Sequence, residues 1–293
     1  MILPNLVRRG ALALIAWLAI GAAPAFADPA LWVIKDHDST IYLFGTVHVL
    51  KPQTTWRSAR IAKAFAAADD VVMEVEQPDP PTAVQPLMLK YGIDRATPLS
   101  AKLSPDLYAK LQSAAQGMGL APGSLDVMRP WLAALTVSLT PILQAGYDPE
   151  SGVEKVLTAQ AKAAGKPVHA FETMEQQIRF FADMTPEQER GLLESTLSDI
   201  DEGPGKIDQL VDAWATGDQV ELKRQMIDEM QADYPGVYAL LLVNRNKDWA
   251  QQLKARLAGS GVSFVAVGAG HLVGPDSLQA QLKALGIKAE AVD

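Results

Sequence analysis

The chain contains no cysteine. That excludes disulfides, thiolate metal ligands, a cysteine nucleophile and a lipid-modified N-terminal cysteine, and it leaves stability to the packed core. Histidine is scarce, with four in 293 residues. No block of lysine and arginine occurs and the formal net charge is −8, which argues against nucleic acid or an anionic membrane as partner. A glycine-rich phosphate loop and a Gly-x-Ser-x-Gly elbow are both missing, so neither a dinucleotide enzyme nor a serine hydrolase is supported. Beyond the first 27 residues no apolar run approaches the roughly 20 residues that span a bilayer.

What is present begins with those residues. Met1–Val7 leads to Arg8-Arg9, then to the apolar run Ala11–Ile20 and to Ala25-Phe26-Ala27. A short basic region, an apolar core and a small-x-small site predict a signal peptide cleaved after Ala27, and hence a periplasmic or secreted protein with no stable membrane span after cleavage. The arginine pair raises a twin-arginine route, although Gly10-Ala11 lacks that signal's bulky residues; an uncleaved anchor is the other reading. Arg8 and Arg9 are the segment's only charges, so its removal takes the net charge from −8 to −10. Residues 28–293, with no linker rich in serine, glycine or proline, are read as one domain large enough to bury its own core.

Strand signals are few. Ala30–Ile34 and Ile41–Phe44 flank the polar pentad Lys35–Ser39, a hairpin turn. Val71–Val75, Lys166–Phe171 and Val262–Val267 follow, and Lys288–Val292 could add an edge strand. Between them helical periodicity dominates, with starts at Ser104-Pro105, Pro130, Pro149, Pro186 and Asp218, and a long helix over Tyr238–Leu257. Strands drawn from distant parts of the chain, separated by helices, predict an α/β fold: a mixed central sheet covered by helices, with a large helical insertion or cap over about 77–157 and 174–234.

The chemistry concentrates at strand ends. Phe44-Gly45-Thr46-Val47-His48-Val49-Leu50-Lys51-Pro52 is echoed by Val267-Gly268-Ala269-Gly270-His271-Leu272-Val273-Gly274-Pro275. Each motif places a Gly-x-x-His turn after a strand, where α/β folds bind ligands. Glycine permits a sharp turn and close approach of a ligand. Two imidazoles brought together suit Zn, Mn, Co or Fe if a carboxylate completes the shell; the bland alternative is a turn-capping or packed histidine. Glu74 interrupts the apolar run Val71–Val75, where burial is costly unless the carboxylate is paired or bound to a metal, and it could be a ligand or a general base. Glu172 ends the fourth strand and reads equally as a site residue or as a cap for the helix from Met174. Arg245, inside an apolar helical stretch, reads as a partner of these carboxylates, as an oxyanion stabiliser or as an ordinary exposed charge. Arg129-Pro130-Trp131 and Asp148 to Glu154 are weaker candidates for lining the site. Glu76 reads as a solvated strand end, His169 as a packed core histidine and His37 as an exposed turn residue.

Taken in order and spacing, Ile41–His48, Val71–Glu76, Arg129-Pro130-Trp131, Gly152-Val153-Glu154, Phe171-Glu172-Thr173, Arg245-Asn246 and Val267–Gly274 resemble the TraB/PrgY/GumN family, related to the Tiki proteins. The resemblance runs from about Leu31 to Ala291. It implies an α/β fold shared with erythromycin-esterase-like and ChaN-like proteins. It also implies metal-dependent peptide hydrolysis carried by the paired Gly-x-x-His motifs and a glutamate, here His48, His271 and Glu74. The expectation is an exported metallohydrolase of metallopeptidase type acting on a peptide or small-molecule substrate. His48, His271 and Glu74 would hold a divalent ion (Zn, Mn or Co) that activates water, with Glu74, Arg245 and Glu172 as candidate catalytic residues. The alternatives are a non-catalytic binder of a peptide or haem-like ligand, and a structural envelope protein.

Overall fold

The structure is a computed structural model that describes residues 28–76, 81–203 and 205–292; the expected signal segment lies outside them. Six strands, β1 (Leu31–Lys35), β2 (Ser39–Thr46), β3 (Asp70–Val75), β4 (Val168–Glu172), β5 (Gly261–Gly268) and β6 (Glu290–Ala291), form one sheet. Their order is β4-β3-β5-β2-β1-β6. β1 and β2 are the expected antiparallel hairpin, with Lys35 opposite Thr40. Its turn is held by Asp36, whose carboxylate accepts from the N–H groups of Asp38 and Ser39, the local bond that makes aspartate a turn residue. β6 pairs antiparallel with β1, while β2, β5, β3 and β4 run parallel. The sheet is therefore mixed, and all four parallel strands end along one edge.

Strand periodicity explains how the sheet is buried. On one face Phe44, Val71, Met73 and Phe264 pack with Trp56, Phe65, Leu157 and Trp214. On the other, Leu43, Val72, Val265 and Val267 pack with Trp249, Leu253, Leu278 and Leu282. Successive side chains alternate faces, so Glu74 shares the face of Val72 and points toward the helix that carries Trp249. A separate core, including Leu99, Leu111, Leu125, Ala133, Val137 and Leu193, lies within the helical region. There the helices Pro130–Gln144 and Pro186–Glu202 pack against each other. This is the helical insertion expected from the sequence. No helix among the described residues is long and apolar enough to cross a membrane.

Three expectations change in detail. The helix expected over Tyr238–Leu257 is interrupted: a π turn at Ala239–Val243 precedes the α-helix Asn244–Leu257, and the N–H of Asn244 bonds the carbonyl of Ala239, five residues back. A second π turn, Arg224–Asp228, divides the helix expected from Asp218. Wide turns of this kind recur near functional sites because they re-aim the residues that follow. His169 is not a core histidine. Its side chain is 52% exposed and lies 3.6 Å from Asp70, because β4 is the outer strand of the sheet.

Candidate functional site

The parallel strands bring four of the sequence-predicted residues into a row. Glu172 is the last residue of β4, Glu74 the next to last of β3, His271 follows β5 by three residues and His48 follows β2 by two. In sheet order they stand β4, β3, β5, β2. β5, the strand latest in sequence of the four, lies between β2 and β3, so the row stands at the carboxyl ends where the chain order reverses, the place where open α/β sheets bind ligands.

Arg245 organises the carboxylate half. Its guanidinium is 7% exposed and donates from Nε and Nη2 to both oxygens of Glu172 (2.8 Å each) and from Nη2 to Glu74 Oε1 (2.5 Å). Nη1 donates to the carbonyl of Leu241 and lies 3.2 Å from His271 Nε2. Trp249, one turn further along the same helix, donates its indole N–H to Glu172 (3.0 Å) and lies under the guanidinium, 4.8 Å from ring centroid to Cζ. Glu172 thus belongs to this buried cluster and does not cap the helix; that task falls to Thr173, which forms a capping box with Gln176. Glu74 also accepts from the Gln177 amide (2.8 Å) and the N–H of Gly268 (2.9 Å). Burial opposes the ionisation of Glu74, but the charges of His271 and Arg245 and the bonds from Arg245 and Gly268 hold it down at about 2. Burial itself keeps His271 near 3, so at neutral pH the ring is uncharged and Glu74 relies on Arg245 and Gly268. Glu172 is shifted the other way, upward, by burial.

The histidine half is built asymmetrically from two similar motifs. Ala269–Leu272 forms a 3₁₀ turn that buries His271. His271 Nδ1 lies 2.7 Å from Asn246 Oδ1, and Asn246 is itself fixed by donating to the carbonyl of Asp276 (2.9 Å). The amide oxygen can only accept, so Nδ1 carries the proton and Nε2 presents a lone pair. His48 is 73% exposed on its side chain, with Nδ1 2.8 Å from Glu154 Oε1. Glu154 raises His48 to about 9, by its charge first and by its hydrogen bond. His48 in turn holds the buried Glu154 carboxyl below its ordinary value, although burial pushes it up.

The glycines work through space more than through special backbone angles. Gly268 has φ −49°, which any residue adopts, but a Cβ there would stand 3.2 Å from Glu74 Oε2. The two Gly-x-x-His motifs are also out of register, since Thr46 and not Gly45 lies opposite Gly268.

Several predicted residues stand elsewhere. Arg129 pairs with Glu189 and donates to the carbonyl of Tyr91 in the helical region. Asp148 caps the short 3₁₀ turn Pro149–Ser151. Glu76 is exposed, as is His37, at 87%. Asn246 and Thr46 stand out in the sequence only as members of the motifs, with no role of their own, and neither Trp249 nor Gln177 is marked there as a site residue. A cleft of about 570 Å³ opens beside the Arg245–Glu172 pair, walled by Phe171, Phe180, Leu240 and Asn244.

The donor set suits a divalent cation in kind. Each histidine has Nδ1 facing an acceptor, the arrangement seen around metal-ligating imidazoles, and Glu74 is ionised beside them. His48, raised to about 9, would have to release its Nε2 proton to an incoming ion. His271 Nε2 and Glu74 Oε2 are 3.9 Å apart, close to the ~3–4 Å that separates two ligands of one ion with bonds near 2 Å. The ligand atoms of His48, Glu74 and His271 are not all within 4.8 Å of one another. Among the described residues such a trio occurs at Asp36, His37 and Asp38, exposed in the hairpin turn. An ion would also share His271 Nε2 with the Arg245 guanidinium.

Comparison with known proteins identifies the family. An uncharacterized protein of Treponema pallidum (strain Nichols) is 21% identical over 282 residues, covering 89% of this chain and 83% of its own length. No solved structure matches the chain. The model of the TraB/PrgY/gumN family matches residues 30–291, a span that contains every residue of the strand-end row, and the chain belongs to that family.

Proposed function

We propose that the protein is an exported metal-dependent hydrolase, of peptidase type, whose site is the strand-end row. The observation that carries the reading is the matched preparation of two histidines: Nδ1 of each faces an acceptor, Asn246 for His271 and Glu154 for His48, which leaves Nε2 as the ligating atom of each. On binding an ion His48, raised to about 9, would release its Nε2 proton, and His271 would exchange its contact with Arg245. His48, His271 and Glu74 would hold the ion. A divalent cation bound there supplies a Lewis acid that polarises a carbonyl and lowers the pKa of water toward neutrality.

The protein's own groups do the rest. Glu74, ionised down to about pH 2, is a better ligand than base. Glu172, shifted upward by burial, is the better proton carrier, since catalytic efficiency favours a pKa nearer the working pH. Arg245, whose donors go to Glu172, Glu74, the Leu241 carbonyl and His271 Nε2, holds the two carboxylates in place and would offer charge to an oxyanion only after giving up one of these contacts. The cleft beside it gives a peptide or small-molecule substrate apolar walls in Phe171, Phe180 and Leu240. The N-terminal basic, apolar and Ala-x-Ala segments support export.

Metal analysis of wild type and His48→Ala, followed by cleavage of a peptide library with each divalent ion restored, tests the reading. Stoichiometric metal in wild type, with loss of metal and cleavage in the variant, is expected; sub-stoichiometric metal and unchanged cleavage would overturn it. One observation favours a second reading. Arg245 already pairs with both carboxylates, as suits a cleft that retains a ligand without cleaving it. That reading expects peptide binding to survive Glu74→Gln with no product formed.

A further inference from the structure

Glu154 is the least conspicuous charged group around the site. It is buried at the second position of the helix Val153–Ala163. Among the described residues, His48 is the group of opposite charge within ion-pair distance of it. Its Oε1 accepts both from His48 Nδ1 and from the Thr46 hydroxyl. The chain is shaped to bring it there. Gly152 is pressed so close to the His48 turn that a Cβ would meet the His48 carbonyl oxygen at 2.2 Å, and the N–H of Val153 donates to the carbonyl of Val47 (3.1 Å). The helix N-terminus favours the carboxylate.

Burying a carboxylate is costly unless something compensates, and an ion pair with so exposed an imidazole returns little. Stability alone therefore explains this arrangement poorly. What it achieves is to immobilise the one site histidine that packing does not hold, whereas His271 is enclosed and held by the Asn246 amide.

We propose that Glu154 is a positioning residue, which fixes His48 with the proton on Nδ1 and aims Nε2 at a divalent cation. This rests on the metal-dependent reading above. Thr46 fixes the carboxylate in turn, so β2 supplies both the residue that is aimed and part of the device that aims it.

The experiment uses the mature chain, residues 28–293, titrated calorimetrically with Mn, Zn and Co salts at one pH. Wild type is compared with Glu154→Ala, with Glu154→Leu, which refills the space with an apolar side chain, and with Glu154→Gln. Loss of a partner that orients a ligating histidine weakens metal binding about 10–100-fold, and that loss is expected for the Ala and Leu variants. Glutamine can offer Nδ1 an amide oxygen, as Asn246 does for His271, so Glu154→Gln is expected to fall between wild type and Ala. Nitrogen shifts of the His48 ring, recorded without metal at a pH where the ring is neutral, should show the proton on Nδ1 in wild type and redistributed in Glu154→Ala. Metal binding by wild type that is equally tight in the Ala and Leu variants, with the His48 proton unmoved, overturns this inference alone. Absence of metal binding by wild type overturns it together with the metallohydrolase reading.

Discussion

A Cβ built on Gly152 would stand 2.2 Å from the carbonyl oxygen of His48, a main-chain atom that cannot swing aside. The helix that carries Glu154 reaches the site only because this position is glycine. Gly152→Ala should therefore separate the two segments, at a cost of about 1–3 kcal/mol of the kind seen on overpacking. The backbone signals of Val47–Val49 should shift with it. Urea unfolding and amide spectra of the variant check this, and a Gly152→Ala protein with wild-type stability and unshifted Val47–Val49 signals would contradict the contact.

Arg245 is the one guanidinium bonded to Glu74 and Glu172 among the described residues. Removing one partner of a buried ion pair costs about 3–5 kcal/mol, since it strands the other. Arg245→Met should lose stability of that order, and Arg245→Lys should recover only part of it, because one ammonium cannot reproduce the forked contacts to two carboxylates. If the metal reading holds, divalent cations should raise the melting temperature of Arg245→Met more than that of wild type.

Acid and base should act on opposite halves of the site. His271 is held near 3 against an ordinary 6.5, and Glu74 near 2 against 4.5. Both are depressed, so the stability they contribute is present above the ordinary value and is lost as pH falls from 6.5 to 3 and from 4.5 to 2 respectively. His48 is raised from 6.5 to about 9. Its contribution is complete below 6.5 and is lost as pH rises to about 9, and it is small because water screens so exposed a ring. Melting temperature measured against pH should climb steeply from 3 to 6.5 and decline gently toward 9. In His48→Gln the alkaline decline should vanish while the acid limb remains.

Asn246 should prove a residue of the site although it carries no charge. Asn246→Ala removes the acceptor of His271 Nδ1 and a donor to the Asp276 carbonyl, leaving buried polar groups unpaired at about 1–3 kcal/mol. The His271 ring should then lose its fixed tautomer. Nitrogen shifts of His271 together with thermal unfolding test both effects.

Much of this is legible in the sequence, for identifiable reasons. Strands announce themselves through runs such as Val71–Val75, and Glu74 stood out because a carboxylate in such a run needs a partner. Glu172 and Arg245 could each be read two ways, since a strand-end acid resembles a helix cap until Thr173 is seen to do the capping. His169 misled because periodicity does not say which strand lies outermost. Trp249 and Gln177, and the role of Asn246, are not legible in the sequence because an amide or an indole on a helix looks ordinary until the fold shows what it faces. The role of Glu154 depended on Gly152, whose reason for being glycine is a contact with a residue more than a hundred positions away.

The position of β5 has a consequence for how the protein comes into being. The strand that joins β2 to β3 begins at Gly261, after every other parallel strand of the sheet. Until it is synthesised the two N-terminal strands have nothing between them to pair with, and the row of side chains has a gap where His271 belongs. Contacts this distant in sequence make for slow closure, and an unpaired strand edge invites association meanwhile. Chains cut short before Gly261 should therefore aggregate, and the site should exist only in molecules whose translation has passed His271.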